Sequence, residues 1–501
     1  MEIHEFERMK EGLDYKYYTM GEWKKSRSGN TIPIKNPYND ELVGNVQACT
    51  KEEVDEVIAN AKESIECWEN TPLRERADVL KKAVELIKKW AEPIGHILMQ
   101  ENGKPLSSAI SEVTRTAIYF DATAEASDVL IGESLVGDLL EGYSREKMSM
   151  TYRVPLGVIL CIGPFNYPFN LTGSKIAPAL LAGNSVVMKP PTEGSITASH
   201  FGVILEEAGV PPGVFNFITG RGSEIGDYLT SHEDIDMIAF TGSSSTGKHI
   251  AEIAGMKPLL LELGGKDAAI VLNDANLEDT TDAIISGGFS YNGQRCTAVK
   301  RVLPMPDVAD ELVERVTAKA KQLSVGDPAE NNKIGPIIST KQADYIQELI
   351  NDAIDKGATV KCGNKREGNI IWPTVLDNVT EDMRIAWEEQ FGPVIPFIRV
   401  YSAEDAIRIS NKSKYGLQGM IFTENIDLAF NIARELDVGT VQINGASSRG
   451  PDHFPFLGTK SSGMGTQGIR YAIENMSRPK VVAMNLSERG KLVHECKYKK
   501  H

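Results

Sequence analysis

From residue 151 onward, short β-rich runs alternate with longer helical segments, and this alternation limits the fold more than any other feature of the chain. VPLGVILCIGPFNYP, NSVVMKPP, VFNFITG, MIAFTGS and DAAIVL are the runs; SITASHFGVILEEAGVP and STGKHIAEIAG lie between them. Strands separated by helices need crossover connections, and so a parallel sheet. A second alternating block runs from about 264 to 450, with KRVLPM, TVLDNV, PFIRVY and GTVQIN as its strands. Two α/β domains are expected. KMSMTYRV (147–154) and PKVVAMNL (479–486) look like strands outside both blocks. Residues 1–50 read as short strands and turns, and residues 51–130 as helices with apolar residues at helical spacing.

The 501 residues leave room for two or three domains of roughly 100–200 residues each. With 41% apolar residues the chain can bury a core without covalent staples. A net charge of −15 argues against nucleic acid or an anionic membrane as partner. An anionic ligand would then need a local cluster of arginines. The six cysteines (Cys49, Cys67, Cys161, Cys296, Cys362, Cys496) are scattered and form no CxxC, and the eight histidines form no HxxxH. Neither a disulfide framework nor a metal site is expected. The N-terminal stretch MEIHEFERMKEGLDYKYY is charged, and no run approaches the roughly 20 apolar residues that span a bilayer. A soluble protein of a reducing, cytoplasmic compartment is expected.

Two glycine motifs invite a phosphate-binding assignment. GMGTQG (463–468) matches GxGxxG but follows no good strand and leaves no room for a βαβ unit, so a glycine-rich turn before a helix is the simpler reading. GSSSTGKH (242–249) nearly matches the P-loop, follows the strand DMIAFT and opens a helix. His249 stands where a magnesium-binding hydroxyl would be, which argues against ATP hydrolysis. A strand, a Gly/Ser turn and a helix N-terminus still make an anion site suited to a dinucleotide diphosphate.

Three further stretches carry candidate chemistry. Cys296 lies in the polar turn YNGQRCT beside Arg295, and positive surroundings lower a thiol pKa; a packing cysteine is the alternative. Glu262 is the one carboxylate in the apolar run LLLELGG, where an unpaired carboxylate would be a natural base; the alternative is a glutamate paired with a distant Lys or Arg. Asn166 follows a strand in IGPFNYPFN and can donate to an oxyanion, or simply form an Asn-Tyr-Pro turn.

PFNYP, NSVVMKPP, FTGSSSTG, LELGGKD, GQRCT, EEQFGPV and FPFLGTKSSGMG, in this order and spacing, resemble the aldehyde dehydrogenase superfamily over about residues 17 to 486. The resemblance implies a Rossmann-like parallel-sheet cofactor domain (1–135 and 155–263) and an α/β catalytic domain (264–465). It further implies a small β oligomerisation element (136–154 and 466–490), with 491–501 as a tail, in a homotetramer or dimer. By the same resemblance Cys296 is the nucleophile that forms a thiohemiacetal and then a thioester. Asn166 and the Cys296 N–H form the oxyanion hole, and Glu262 activates water for deacylation. Lys189, Thr192, Gly226, Ser243, Thr246, Glu389 and Phe391 are the implied cofactor residues.

In KPPTEG, Thr192 stands where many NAD-using relatives carry a glutamate. A hydroxyl can donate to a 2′-phosphate that a carboxylate would repel, and Lys189 is near, so NADP is expected, with NAD weaker; Glu193, one residue on, leaves the opposite choice open. EVTRTAIYF, GSKIAPAL, FITGRGSEIGDYL, GQRCTAVKRVL and RGPDHFPFLG resemble the non-phosphorylating glyceraldehyde-3-phosphate dehydrogenases. Arg115, Tyr167, Arg295 and Arg449 then resemble ligands of the substrate phosphate. The plainer readings are an Arg115–Glu112 helix-surface pair and a solvated Arg449. The implied reaction is NADP-linked oxidation of D-glyceraldehyde 3-phosphate to 3-phosphoglycerate without inorganic phosphate. The alternatives are another anionic aldehyde, such as succinate semialdehyde, and an inactive binding relative.

Overall fold

The structure, a computed structural model, describes residues 4–486. The expected tail at 491–501, and residues 487–490 of the expected oligomerisation element, lie outside them.

The first strand–helix block forms a parallel sheet. Its five central strands, read across, are Phe215–Phe217, Ser185–Lys189, Val158–Ile162, Met237–Thr241 and Leu259–Glu262. VILCI, SVVMK and MIAFT are buried at every position, as strands covered on both faces must be. The helices Lys51–Glu63 and Asn170–Leu181 both pack against Ser185–Lys189. From Val158–Ile162 the chain adds strands on one side and then returns to the other. Open α/β sheets bind ligands at that reversal, outside the carboxyl ends of the strands. The register brings the ends level: Lys189 pairs with Ile162, and Glu262 with Thr241.

Antiparallel strands border this sheet, with Tyr17–Thr19 and Glu22–Lys24 on one side and Gly463–Met464 on the other. GMGTQG therefore supplies an edge strand and the turn into the helix Ile469–Asn475, as its simpler reading has it.

The second block forms another parallel sheet, in the order Arg301–Pro304, Ala268–Val271, Gln418–Phe422, Thr440–Ile443. Gln418–Phe422 is not among the runs expected above. PFIRVY is not a strand over 396–401; the strand is Val394–Pro396, parallel to Thr374–Asp377. Beyond it the backbone changes partners. Phe397 donates to Leu376, Ile398 to Val302 and Val400 to Pro304, so the segment passes between two sheets and extends neither ladder.

KMSMTYRV and, up to Asn485, PKVVAMNL lie in the antiparallel strands Lys147–Pro155 and Ser477–Asn485, which pair along their length, with Glu133–Val136 on the outer side. Met150, Tyr152, Val481 and Val482 stay exposed on this small sheet. The preceding helix belongs elsewhere: Ile469 and Ile473 are buried in the core of the first sheet. That core reaches Leu263, and the next begins at Ala268, so the chain passes from one to the other through Gly264–Asp267. The candidate site lies along this passage.

Candidate active site

Cys296 is presented by an unusual turn. Tyr291, Asn292 and Gly293 have φ of 48°, 57° and 67° in succession. A left-handed tyrosine costs on the order of 1–2 kcal/mol and persists only where its surroundings hold it. Here Tyr291 Oη donates to Asn102 Oδ1, while Asn292 accepts from Gly335 N at 2.8 Å and donates to Pro336 O at 2.9 Å. The glycines of LELGG are required by close approach. A Cβ at Gly264 would overlap the Glu389 carboxylate, and one at Gly265 would stand 2.9 Å from Cys296 O.

The expected lowering of the Cys296 pKa is corrected. Although the residue is half-buried, burial of the thiol dominates and pushes it up to about 11; Lys300 opposes this, and Glu262 adds to it. The Arg295 guanidinium is not among the charges that move the thiol; it donates to Ser290 Oγ, to Thr297 Oγ1 at 3.3 Å and to Ser447 O at 2.8 Å.

Asn166 is buried, and its Nδ2 donates to Gln294 O at 2.9 Å, which ties it to the Cys296 turn. An amide has two N–H groups, so one remains to donate to a developing oxyanion. The Asn166 backbone carbonyl accepts from Lys104 Nζ at 2.8 Å, and that ammonium also pairs with Glu112 and lies 3.8 Å from the Tyr167 ring centroid. Glu112 in turn accepts from the backbone N–H groups of Phe169 and Asn170. It is therefore not the surface partner of Arg115.

Glu262 departs from the expected unpaired carboxylate. Its Oε2 accepts from Thr241 Oγ1 at 2.8 Å and from Arg449 Nη1 at 3.3 Å, with Lys175 Nζ at 3.9 Å. Its Oε1 is buried and has no hydrogen-bond partner among the described residues. Lys175 is fully buried, and desolvation brings its ammonium down to about 8. The paired-glutamate alternative thus holds, with Arg449 and Lys175 as the distant cations.

A cleft of about 890 Å³ runs from the carboxyl ends of the first sheet to Cys296 and Asn166. Lys189, Thr192, Gly226, Ser243, Thr246, Glu389 and Phe391 all line it. Ser243 caps the helix Ser244–Ile253, accepting from Thr246 N, and its hydroxyl group is exposed beside those of Ser245 and Thr246. Lys189 Nζ donates only to Pro190 O among the described residues, and burial pulls it down to about 8. Glu193 is exposed and lies off the lining, whereas Thr192 is on it. Lys300 Nζ donates to Glu389 Oε1 at 2.7 Å and to Cys296 O at 2.5 Å, fixing the far end. A long cleft with free donors, an exposed hydroxyl cluster at a helix N-terminus, and no Cβ beside Gly222 or Gly226 fits a dinucleotide.

The three arginines converge on residues 447–452. Arg295 donates to Ser447 O, Arg449 lies within the segment, and Arg115 grips both Asp452 oxygens at 3.0 and 3.3 Å. Arg449 is not a solvated charge, because Glu262 and Gln467 hold it. Among the described residues, Arg295 makes no ion pair.

Residues 23–482 match the model of the aldehyde dehydrogenase family. The chain belongs to the aldehyde dehydrogenase family. It is 52% identical over 474 residues, 95% of this chain and 99% of the other, to the NADP-dependent glyceraldehyde-3-phosphate dehydrogenase of Streptococcus equinus. The corresponding enzyme of Pisum sativum is 50% identical, over 95% of this chain and 96% of the other. The crystal structure of the Bacillus halodurans NADP-dependent glyceraldehyde-3-phosphate dehydrogenase complexed with NADP superposes with a TM-score of 0.93 at 50% identity, covering 94% of this chain and 99% of that one.

In this aldehyde dehydrogenase the residues that sequence reasoning passed over are cations and their partners. Lys104, Lys175 and Lys300 are each essentially buried within the site. Lys175 had a visible signal, as the one charge in the otherwise uncharged helix NLTGSKIAPALL. Lys300 stands one helical turn after Cys296 in sequence, but only the fold shows it reaching Glu389. Among the described residues no cluster of metal-ligating side chains occurs, and no helix is long and apolar enough to cross a membrane.

Proposed function

We propose that this aldehyde dehydrogenase oxidises D-glyceraldehyde 3-phosphate to 3-phosphoglycerate with NADP, through a thioester on Cys296 and without inorganic phosphate. The observation that carries this reading is that Cys296 lines the dinucleotide-shaped cleft with Thr192 and Lys189, while its neighbour Arg295 reaches the segment 447–452, which also contains Arg449 and binds Arg115. The relatives at about half identity, which are NADP-dependent glyceraldehyde-3-phosphate dehydrogenases, support the same substrate and cofactor.

Lys189 and Thr192 bind the adenosine ribose and its 2′-phosphate, Gly226, Ser243 and Thr246 meet the diphosphate, and Glu389 and Phe391 position the nicotinamide ribose. NADP, when bound, supplies the hydride acceptor. Cys296 sulfur bonds to the aldehyde carbon, while the free N–H of Asn166 and the Cys296 backbone N–H receive the oxyanion. The thiol must shed its proton first, because burial holds it up near 11. Arg295, with Arg115 and Tyr167, seats the substrate phosphate, and Glu262 takes a proton from the water that cleaves the thioester. We assign a cofactor domain to 1–135 and 155–263, a catalytic domain to 264–465 and an oligomerisation element to 136–154 and 466–490. The change of core between Leu263 and Ala268 and the small exposed sheet support this division, although the helix Ile469–Asn475 and the edge strand Gly463–Met464 pack with the first sheet. We take the protein to be a cytoplasmic homo-oligomer.

A steady-state assay of glyceraldehyde 3-phosphate with NADP and NAD, with and without inorganic phosphate, tests the reading. Phosphate-independent formation of 3-phosphoglycerate with NADP preferred is expected. Equal or faster turnover of succinate semialdehyde would overturn it.

A further inference from the structure

Arg449 has two claims on it. Its Nη1 donates to Glu262 Oε2 at 3.3 Å and its Nη2 donates to Gln467 Oε1. The same Glu262 oxygen carries the Thr241 bond and faces Lys175, whereas Oε1 is buried and without a partner among the described residues. A carboxylate takes a proton from water only through a lone pair that faces that water. Here the lone pairs of Oε2 are occupied by donors, and Oε1 is shut away. Glu262 is held rather than poised.

The guanidinium that holds it lies within the segment where the cations gather. Arg295 donates to Ser447 O without any ion pair of its own among the described residues, and Arg115 is anchored through Asp452. A phosphate dianion seated beside Arg295 offers Arg449 two charges and a bidentate acceptor. Glu262 offers one oxygen at 3.3 Å, so the dianion is the stronger claimant.

We propose that Arg449 is a positioning residue that couples occupancy of the phosphate site to release of Glu262. Without a dianion it clamps Oε2; with one seated it turns to the phosphate, and Glu262 is free to face water at the acyl carbon. Glu262 then takes one proton of that water while the oxygen bonds to the acyl carbon. The C–S bond breaks and its electron pair returns to the Cys296 sulfur, leaving the acid, a thiolate and a protonated Glu262. This rests on the reaction proposed above and adds a control on its second half.

The test supplies the two halves of the substrate separately, as glyceraldehyde and inorganic phosphite, to the full chain with NADP. At saturating glyceraldehyde the first-turnover rate of NADPH formation reads acylation, and the slower steady rate after the burst reads deacylation. Phosphite is expected to raise the steady rate about tenfold or more and to leave the first-turnover rate within about twofold. Arg449→Gln is expected to raise the phosphite-free steady rate and to lose the response, and Arg449→Lys to regain part of it. Absence of a burst without phosphite, a steady rate indifferent to phosphite, or an Arg449→Gln protein that still responds would each overturn the coupling. The first two outcomes need no variant and so do not depend on one folding. Failure of the unaltered protein to oxidise glyceraldehyde 3-phosphate with NADP would instead remove the reaction on which the coupling rests.

Discussion

The two ends of the active site are prepared for their ligands in opposite ways. At the cofactor end the polar groups are open: Lys189 Nζ makes a single hydrogen bond among the described residues, and Ser243 and Thr246 line the cleft. At the aldehyde end Arg115 holds Asp452 and Arg449 holds Glu262, leaving Arg295 as the arginine without an ion pair among the described residues. A dinucleotide is large and brings its own charges, so neutral donors and one cation suffice to receive it. A small anionic aldehyde needs full positive charges close to a half-buried nucleophile. Unmatched arginines there would cost several kcal/mol each in desolvation, so carboxylates of the protein balance two of them.

The most severe perturbation removes the atom the two ends share. Cys296→Ala should cut NADPH formation by about 10⁴-fold or more with any aldehyde, measured as kcat, and ordinary turnover by that variant would rule out the covalent route. Next is the aldehyde end alone. Arg295→Ala should lower kcat/KM for glyceraldehyde 3-phosphate by about 100-fold and that for glyceraldehyde by no more than about threefold. Equal losses on both substrates would mean that its bonds to Ser447 and Thr297 are merely structural.

Thr192→Glu touches only the cofactor end. It should shift the ratio of kcat/KM values from NADP toward NAD by about tenfold, since a carboxylate would face the 2′-phosphate; an unchanged ratio would misplace that phosphate. The smallest effect is one of pH. Lys189 is pulled down to about 8, so its charge is present below that pH and fades above it. NADP affinity should fall several-fold between pH 7 and 9, and NAD affinity should fall less, as titration calorimetry would read. A parallel decline of both would detach Lys189 from the 2′-phosphate.

Much of this was legible in the chain itself. VILCI, SVVMK and MIAFT are apolar at nearly every position, the pattern of strands buried on both faces, and their order implied the parallel sheet. Thr192, Ser243 and Phe391 sit on short motifs, and the fold carries them to one cleft. What stayed hidden depends on partners far apart in sequence. Glu262 and Arg449 are 187 residues apart, and nothing local to LLLELGG reveals its cation. The Cys296 thiol follows the same logic: adjacency to Arg295 says nothing about where the guanidinium points, and burial outweighs it. PFIRVY misled because its alternation is that of a strand, whereas its backbone hydrogen bonds are divided between two sheets.

Acid quenching during the first turnover tests most directly whether Cys296 carries the acyl group between the two ends. The protein is mixed with NADP and glyceraldehyde 3-phosphate in phosphate-free buffer, quenched, digested and mapped by mass. A 3-phosphoglyceroyl thioester on the peptide bearing Cys296, formed in step with the first equivalent of NADPH and then lost to 3-phosphoglycerate, is the result expected. NADPH formation with Cys296 unmodified, or an adduct on another cysteine, would contradict it.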